Sequence, residues 1–200
     1  MLGTKHSMET LTCILLGLGL SAACGFRLFV PLLGMNLLHG SGHLTLGAGF
    51  EWIGSFPALL VFSTATVLEI CAFYIPWVNH FLDTVALPAA AMAGTLVTAS
   101  QLGDASPFLK WTLAAIAGGG LSAGVHAGTA LLRAGSTVTT GGLANLLLAT
   151  GEVLGSVFLT VLAVFVPVLC CVLGVCILFW AGTRLLRAKR QRQPAGAGIP

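Results

Sequence analysis

Charged side chains are scarce in this chain. Asp, Glu, Lys and Arg together make up only 8% of its 200 residues, whereas 56% are hydrophobic. A water-soluble domain carries about 25% charged residues, because its surface must be hydrated. The low charge content therefore excludes an ordinary soluble globule and predicts a protein whose main solvent is lipid. The 26 glycines agree with this, since glycine lets membrane helices approach closely and tolerates helix breaks.

Sequence signatures of cofactor, metal or covalent chemistry are also missing. The six cysteines lie in apolar stretches without a CxxC spacing near histidines, which predicts neither a disulfide framework nor a metal site. The sequence has no nucleophile motif, phosphate-binding loop, zinc signature or flavin fingerprint. We therefore expect no cofactor, no metal and no enzymatic activity.

The basic residues are unevenly distributed. Five of them crowd the C-terminal end: Arg184, Arg187, Lys189, Arg190 and Arg192. The positive-inside bias places both termini on the cytoplasmic side of a bacterial inner membrane, with residues 188–200 as a disordered tail and Glu51, Asp104 and Lys110 in outer loops. Contact with anionic lipid is a second interpretation of the tail. Nucleic acid is not an expected partner, because no aromatic residues interleave with these charges.

Apolar stretches long enough to span a bilayer recur along the chain. A hydrocarbon core of about 30 Å needs about 20 apolar residues in a helix. Six stretches approach that length, at about 9–38, 55–77, 84–102, 108–133, 143–166 and 168–187. The pattern predicts an all-α, polytopic transmembrane bundle of about six segments, with both termini on one side.

A shift of 101 residues relates part of the first half of the chain to the second half. Two matches carry the repeat: Gly19-Leu-Ser-Ala22 with Gly120-Leu-Ser-Ala123, and Glu51-x-x-Gly-Ser55 with Glu152-x-x-Gly-Ser156. Residues 1–103 and 104–187 would then hold three segments each. An odd number of crossings per half predicts two inverted-topology repeats, with glycine-broken or re-entrant helices near the membrane centre.

Ionisable groups at membrane depth are the main candidates for a functional site, because they are costly there and mark ion or substrate pathways. Glu69 lies inside an apolar run, and Arg27 lies near the middle of the first stretch. These two could form a buried ion pair that only holds the fold, or they could form a substrate or proton site. Four further residues are candidates for the same pathway: Asp83, His126, Asn145 and Glu152.

Three glycines at four-residue spacing, Gly120, Gly124 and Gly128, lie on one face of the predicted fourth segment. This stripe predicts close helix packing. A half-helix break that exposes backbone groups to a ligand is the alternative interpretation of the same residues.

Several of these residues form a pattern that resembles a family of small bacterial and plastid membrane proteins, the domain of unknown function DUF4126. The pattern consists of Glu69, Ile75-Pro76-x-x-Asn79-x-x-x-Asp83-Thr84, Pro88, Ala93-Gly94, Asn145, Glu152 and Pro167. Similar proteins carry an Asp-Lys pair before the Ile-Pro and a second acid after Glu152. Here Phe73-Tyr74 and Val153 stand there, so roles that need those charges do not carry over. The resemblance implies a membrane fold and no specific chemistry.

The sequence as a whole favours a small transporter or channel-like protein that moves an ion or small solute. The alternative is a membrane scaffold or assembly factor without transport activity. Because 200 residues are few for a complete transporter, we expect a homo-oligomer, with a dimer favoured, in contact with membrane lipids. A water-accessible cavity at Glu69 or Glu152 would favour transport, and a dry core would favour the scaffold.

Overall fold

The computed structural model describes residues 2–73, 76–103 and 105–165, together with Cys176, Phe179 and Trp180. Within these residues the chain is helical and has no strand, which confirms the all-α prediction. The α-helices are α1 (Leu2–Phe26), α2 (Phe29–Gly40), α3 (Phe56–Phe73), α4 (Pro76–Gln101), α5 (Pro107–Leu113), α6 (Gly120–Thr140) and α7 (Asn145–Phe165). The predicted sixth stretch, 168–187, lies outside the described ranges apart from those three residues.

Two helices in the described part are long and apolar enough to cross a membrane, judged by length and composition. The first is continuous over Pro107–Thr140, because a π-helical segment at Ala114–Gly119 joins α5 to α6. Pro107 starts this helix at a position where its missing N–H costs nothing, and Gly141 ends it with a positive φ of 63°. The second is α7, and the remaining helices contain shorter apolar stretches.

The predicted first segment, 9–38, is two helices and not one. α1 runs antiparallel to α7: Ser156 Oγ donates to the Ala23 carbonyl (3.0 Å), and further along α1 the Arg27 guanidinium donates to the Ala149 carbonyl (3.0 Å). As the residue number rises along α1, it falls along α7. The helix then ends at Phe26, and α2 begins at Phe29.

The second of these helices, α2, runs back in the opposite direction. Gly34 lies against the Thr160 methyl group, and the ring of His43 packs on Phe165 with 6.0 Å between ring centroids. Residue numbers therefore rise together along α2 and α7. α1 and α2 form a helical hairpin that reverses at Arg27–Leu28.

Proline explains why the chain breaks at this point. Pro31 stands in the first turn of α2, where its ring would clash with the Arg27 carbonyl if α1 continued as one helix. Pro31 also has no N–H to donate to that carbonyl. The residue 101 positions later is Leu132, which has neither defect, and there the helix runs straight through.

The reversal places the loop between α2 and α3 at the same end of the bundle as the start of α5. Gly47 N donates to the Ser100 carbonyl at the end of α4 (2.8 Å). Phe50 packs on Trp111, and Lys110 Nζ lies 4.8 Å from the Phe50 ring centroid. The α1 N-terminus points to this end as well, so the prediction that it lies opposite the Glu51 and Lys110 loops is wrong.

α4 packs on both α1 and the α5–α6 helix, and repeat-related residues of these two helices contact the same positions on α4. Thr98 Oγ1 donates to the Gly17 carbonyl (3.2 Å), and Gly118 packs against the same Thr98 hydroxyl. Gly17 and Gly118 are 101 residues apart. One turn earlier on α4, at Gly94, a second related pair makes contact.

The second pair, Ser21 and Ser122, fixes the direction of α1 relative to the α5–α6 helix. Ser21 Oγ donates to the Gly94 carbonyl (2.7 Å), and a Cβ on Gly94 would lie 2.5 Å from Ser122 Cβ. Both stretches therefore pass α4 in the same order and run in the same direction. Inverted halves require opposite directions, so the predicted inverted repeat is wrong for these segments. The α1–α2 hairpin is the reason, because it adds one helix to the first half. With an even number of helices that alternate in direction, the second half starts in the same direction as the first.

Glycine at position 118 allows this close packing, which leads to a prediction with a control on the same continuous helix. A Cβ on Gly118 would lie 2.6 Å from the Gly94 carbonyl oxygen, whereas a Cβ on Gly135 has no atom within 4 Å. Overpacking typically costs about 1–3 kcal/mol, while alanine gains about 1 kcal/mol in helix propensity. We expect Gly118→Ala to lower the melting temperature in detergent and Gly135→Ala to preserve or raise it. Equal melting temperatures would show that this contact is loose.

Candidate functional site

A carboxylate and two guanidinium groups meet in the interior of the bundle. Glu152 of α7 accepts a hydrogen bond from Arg133 Nη1 of α6 (2.8 Å) and forms an ion pair with Arg27 Nη2 at the end of α1 (3.3 Å). Arg27, Arg133 and Glu152 are 1%, 3% and 5% exposed. The same Arg27 nitrogen reaches the Ala149 carbonyl (3.0 Å). Three helices are thus joined by one charged cluster.

Helical periodicity brings the α6 and α7 members of the cluster together. The buried polar residues of α6 follow at intervals of four, three and four, so they share one face: Ser122, His126, Thr129 and Arg133. The buried polar residues of α7 follow at intervals of four: Glu152, Ser156 and Thr160. The turn at 141–144 folds these two polar faces into the same interior.

His126 lies on the same face of α6 as Arg133, seven residues earlier in the chain. Its ring contacts the end of α1. Its Nδ1 is 3.3 Å from the Gly25 carbonyl, which assigns the ring proton to Nδ1, since a carbonyl only accepts. A Cβ on Gly25 would lie 2.6 Å from the Ser122 carbonyl oxygen, so only glycine allows α1 this close to α6. Gly25 and His126 are themselves related by the 101-residue shift.

Glu69 of α3 binds the other side of the same break. Its Oε1 accepts the backbone N–H of Leu28 (2.8 Å), and its Oε2 accepts that of Phe29 (3.1 Å). These are the first donors of α2, which have no partner within the helix. The carboxylate therefore caps α2 and compensates the positive end of its dipole.

The sequence allowed Arg27 and Glu69 to be a mutual ion pair, and the structure divides their contacts differently. Arg27 pairs with Glu152 in the second half of the chain, and Glu69 binds backbone donors of α2. Each charge therefore compensates groups on one side of the break between α1 and α2.

The remaining sequence candidates have other positions. Asn145 Nδ2 donates to Thr137 Oγ1 (2.9 Å) and closes the α6–α7 turn, seven residues before Glu152. The side chain of Asp83 lies outside what the structure describes. Gly120 faces open space and makes no close helix contact within the chain, which corrects part of the predicted packing stripe. Gly124 and Gly128 are half-buried.

Arg133 is the member of the cluster that sequence reasoning missed. In the sequence it stands at the end of the apolar stretch 108–133, where the positive-inside bias accounts for a basic residue at a cytoplasmic end. The signal that could have found it is the polar spacing on α6, since His126, Thr129 and Arg133 continue one helical face. Among the described residues no group of three or more His, Cys, Asp and Glu side chains could hold a metal ion.

The chemistry available to this cluster is recognition of charge. Arginine is permanently protonated, and its planar fork matches the geometry of a carboxylate or phosphate. A buried carboxylate between two such groups is stable only while its partners remain, because an unpaired ion in a low-dielectric interior is strongly penalised. The site can therefore hold an anion or exchange one anion for another.

Comparison with known proteins adds one result. The family described as a domain of unknown function, DUF4126, matches residues 14–188. Neither the curated proteins nor the solved structures contain a match to the chain.

The cluster predicts strong coupling between Arg133 and Glu152. Removing one partner of a buried ion pair typically costs about 3–5 kcal/mol, because the other charge stays buried. We expect Glu152→Gln and Arg133→Met each to lower the melting temperature in detergent sharply. The double variant should lose much less than the sum of the two losses. As a control, Glu51→Gln should have little effect, because Glu51 is exposed and caps only Gly49 N. Strictly additive losses would contradict the coupling.

Proposed function

The chain belongs to the DUF4126 family, and we propose from its own geometry that it is an integral membrane protein that moves a small ion or solute through a polar interior. The distribution of side chains supports the membrane part of this proposal. Large apolar residues such as Phe108, Ile116 and Leu147 are exposed, while Arg27 and Arg133 are buried. A soluble protein shows the reverse arrangement. The two long apolar helices agree with it.

The observation that carries transport is the position of the charged cluster beside a helix break. Ionisable groups inside a membrane bundle are retained where they serve a pathway. Secondary transporters place their sites at interrupted helices, where free backbone groups and helix termini can meet a solute. Here the cluster of Arg27, Arg133 and Glu152 lies on one side of the interrupted α1–α2 hairpin, and Glu69 lies on the other.

A scaffold without transport activity is the second candidate, and one observation favours it. Glu152 is buried between both arginines, so its carboxylate is closed to the exterior. A closed cluster could serve only to join α1, α6 and α7. Glu69 argues against the scaffold, because its side chain is partly exposed although it binds the start of α2 inside the bundle. An ionic group with access to the exterior at this depth favours transport.

We expect the working unit to be a homodimer. Gly120 of α6 is exposed, with no atom of its own chain near the position of its Cβ. A helix face without side-chain bulk lets a second helix approach closely in lipid. The predicted packing role of this glycine would then apply between two copies.

The test is measurement of ion currents after reconstitution into liposomes. Wild-type protein on a solid-supported membrane should give currents above those of protein-free liposomes when small cations or anions are exchanged. Arg133→Lys keeps the positive charge but loses the fork that contacts Glu152, so we expect it to fold and to give a strongly reduced current. Lys110→Arg, an equally conservative change at the end of the bundle, should leave the current unchanged. Folded wild-type protein without any current would favour the scaffold.

A further inference from the structure

The start of α2 has the geometry of an anion-binding site. α2 has 12 residues and begins at a break in the interior of the bundle. The first N–H groups of a helix lack internal partners, and the dipole adds positive potential there. Two of these groups, at Leu28 and Phe29, point at one carboxylate from another helix. Helix starts of this kind bind phosphate and carboxylate groups in many proteins.

A buried hydroxyl beside Glu69 provides a second, independent observation. Thr66 lies three residues before Glu69, on the same face of α3, and α3 packs on α2. It is 8% exposed, and its Oγ1 has no hydrogen-bond partner among the described residues. Buried hydroxyls are nearly always hydrogen-bonded. A donor left over next to an anion-binding helix start is what a ligand with a further oxygen would use.

The charges around the break also favour an anion. Arg27 immediately precedes the two backbone N–H groups, of Leu28 and Phe29, that bind the Glu69 carboxylate. With Glu69 in place, the two carboxylates at the break balance Arg27 and Arg133. If the Glu69 side chain moved away, the helix start and two guanidinium groups would face a single carboxylate, Glu152. A small anion entering that space would restore the balance.

Glu69 is able to leave, because its attachment differs from that of Glu152. Glu152 is 5% exposed and is held by two arginines, whereas Glu69 is partly exposed and is held by two backbone N–H groups. We propose that the start of α2 is an anion-binding site, that Glu69 occupies it as a tethered carboxylate, and that a small carboxylate or similar oxyanion is the solute that displaces Glu69. The last part rests on the proposed transport function, and the existence of the site does not.

Chemical rescue tests the site without any transport measurement. Glu69→Ala vacates the two donors, and formate, the smallest carboxylate, should refill them. In detergent at matched ionic strength we expect formate to raise the melting temperature of Glu69→Ala by about 3 °C or more relative to chloride. Benzoate should give no such rise, because it is too large for the space left by one side chain.

Two controls separate this effect from a general salt effect. Wild-type protein should show no rise, because Glu69 already fills the site. Glu51→Ala removes a carboxylate that also accepts a backbone N–H, from Gly49 (2.9 Å), but in an exposed loop. It should show no rise either. Equal rises in all three proteins, or no rise in Glu69→Ala, would overturn the proposal.

A variant that fails to fold still gives an answer. If Glu69→Ala is recovered as monodisperse protein only when formate is present during purification, that recovery is itself the rescue. If it is not recovered under either condition, Glu69→Ser replaces it, since the small hydroxyl keeps one acceptor near the two N–H groups and still leaves room for formate. A formate-dependent rise smaller than that expected for alanine supports the site, and no rise overturns it.

Transport of the same probe distinguishes the two proposals. Wild-type liposomes should give a formate current that Glu69→Ala changes at least several-fold. Rescue without any current would leave the anion site in place and remove the transport function. A cation current without rescue would leave transport in place and remove the anion. Formate current together with rescue supports both.

Discussion

An ion in a low-dielectric interior must have a partner, and the arrangement of these helices follows from that requirement. Arg27 cannot reach water from the end of α1, where it is 1% exposed. Its charge is compensated by Glu152 on α7, and Glu152 in turn contacts Arg133 on α6. The penalty for an unpaired buried charge is several kcal/mol, more than most single packing contacts contribute. Three helices are thereby held in one relative position.

The same requirement governs the backbone at the break. Pro31 prevents α1 from continuing, which leaves the first N–H groups of α2 without partners inside the bundle. In lipid, unsatisfied backbone groups cost several kcal/mol each, so an interrupted helix is stable only where another group satisfies it. Glu69 does this from α3. The hairpin, the carboxylate and the proline therefore form a single structural unit, and none of them is explained without the others.

Helix content and the approximate positions of the apolar stretches could be predicted from the sequence, because periodicity and length are local properties. The charged candidates Arg27 and Glu152 were found for the same reason: charge inside an apolar run is visible locally. Their partners were not, since pairing depends on direction. One missed reversal at Pro31 changed the side of the bundle assigned to the loops that follow. Arg133 ends the apolar stretch 108–133, and local sequence does not distinguish an aqueous end there from the interior.

The internal repeat shows why a correct sequence match can give a wrong topology. Gly17 and Gly118 contact the same threonine of α4, and Gly25 contacts His126, so the 101-residue relation corresponds to contacts in space. At the position that decides whether the helix continues, the first copy has Pro31 and the second has Leu132. The first copy turns back after α1 and leaves the start of α2 inside the bundle. The second copy continues as α6, which brings Arg133 to Glu152. The asymmetry between two related segments thus creates the charged interior, which a perfectly symmetric repeat with two straight helices would not contain.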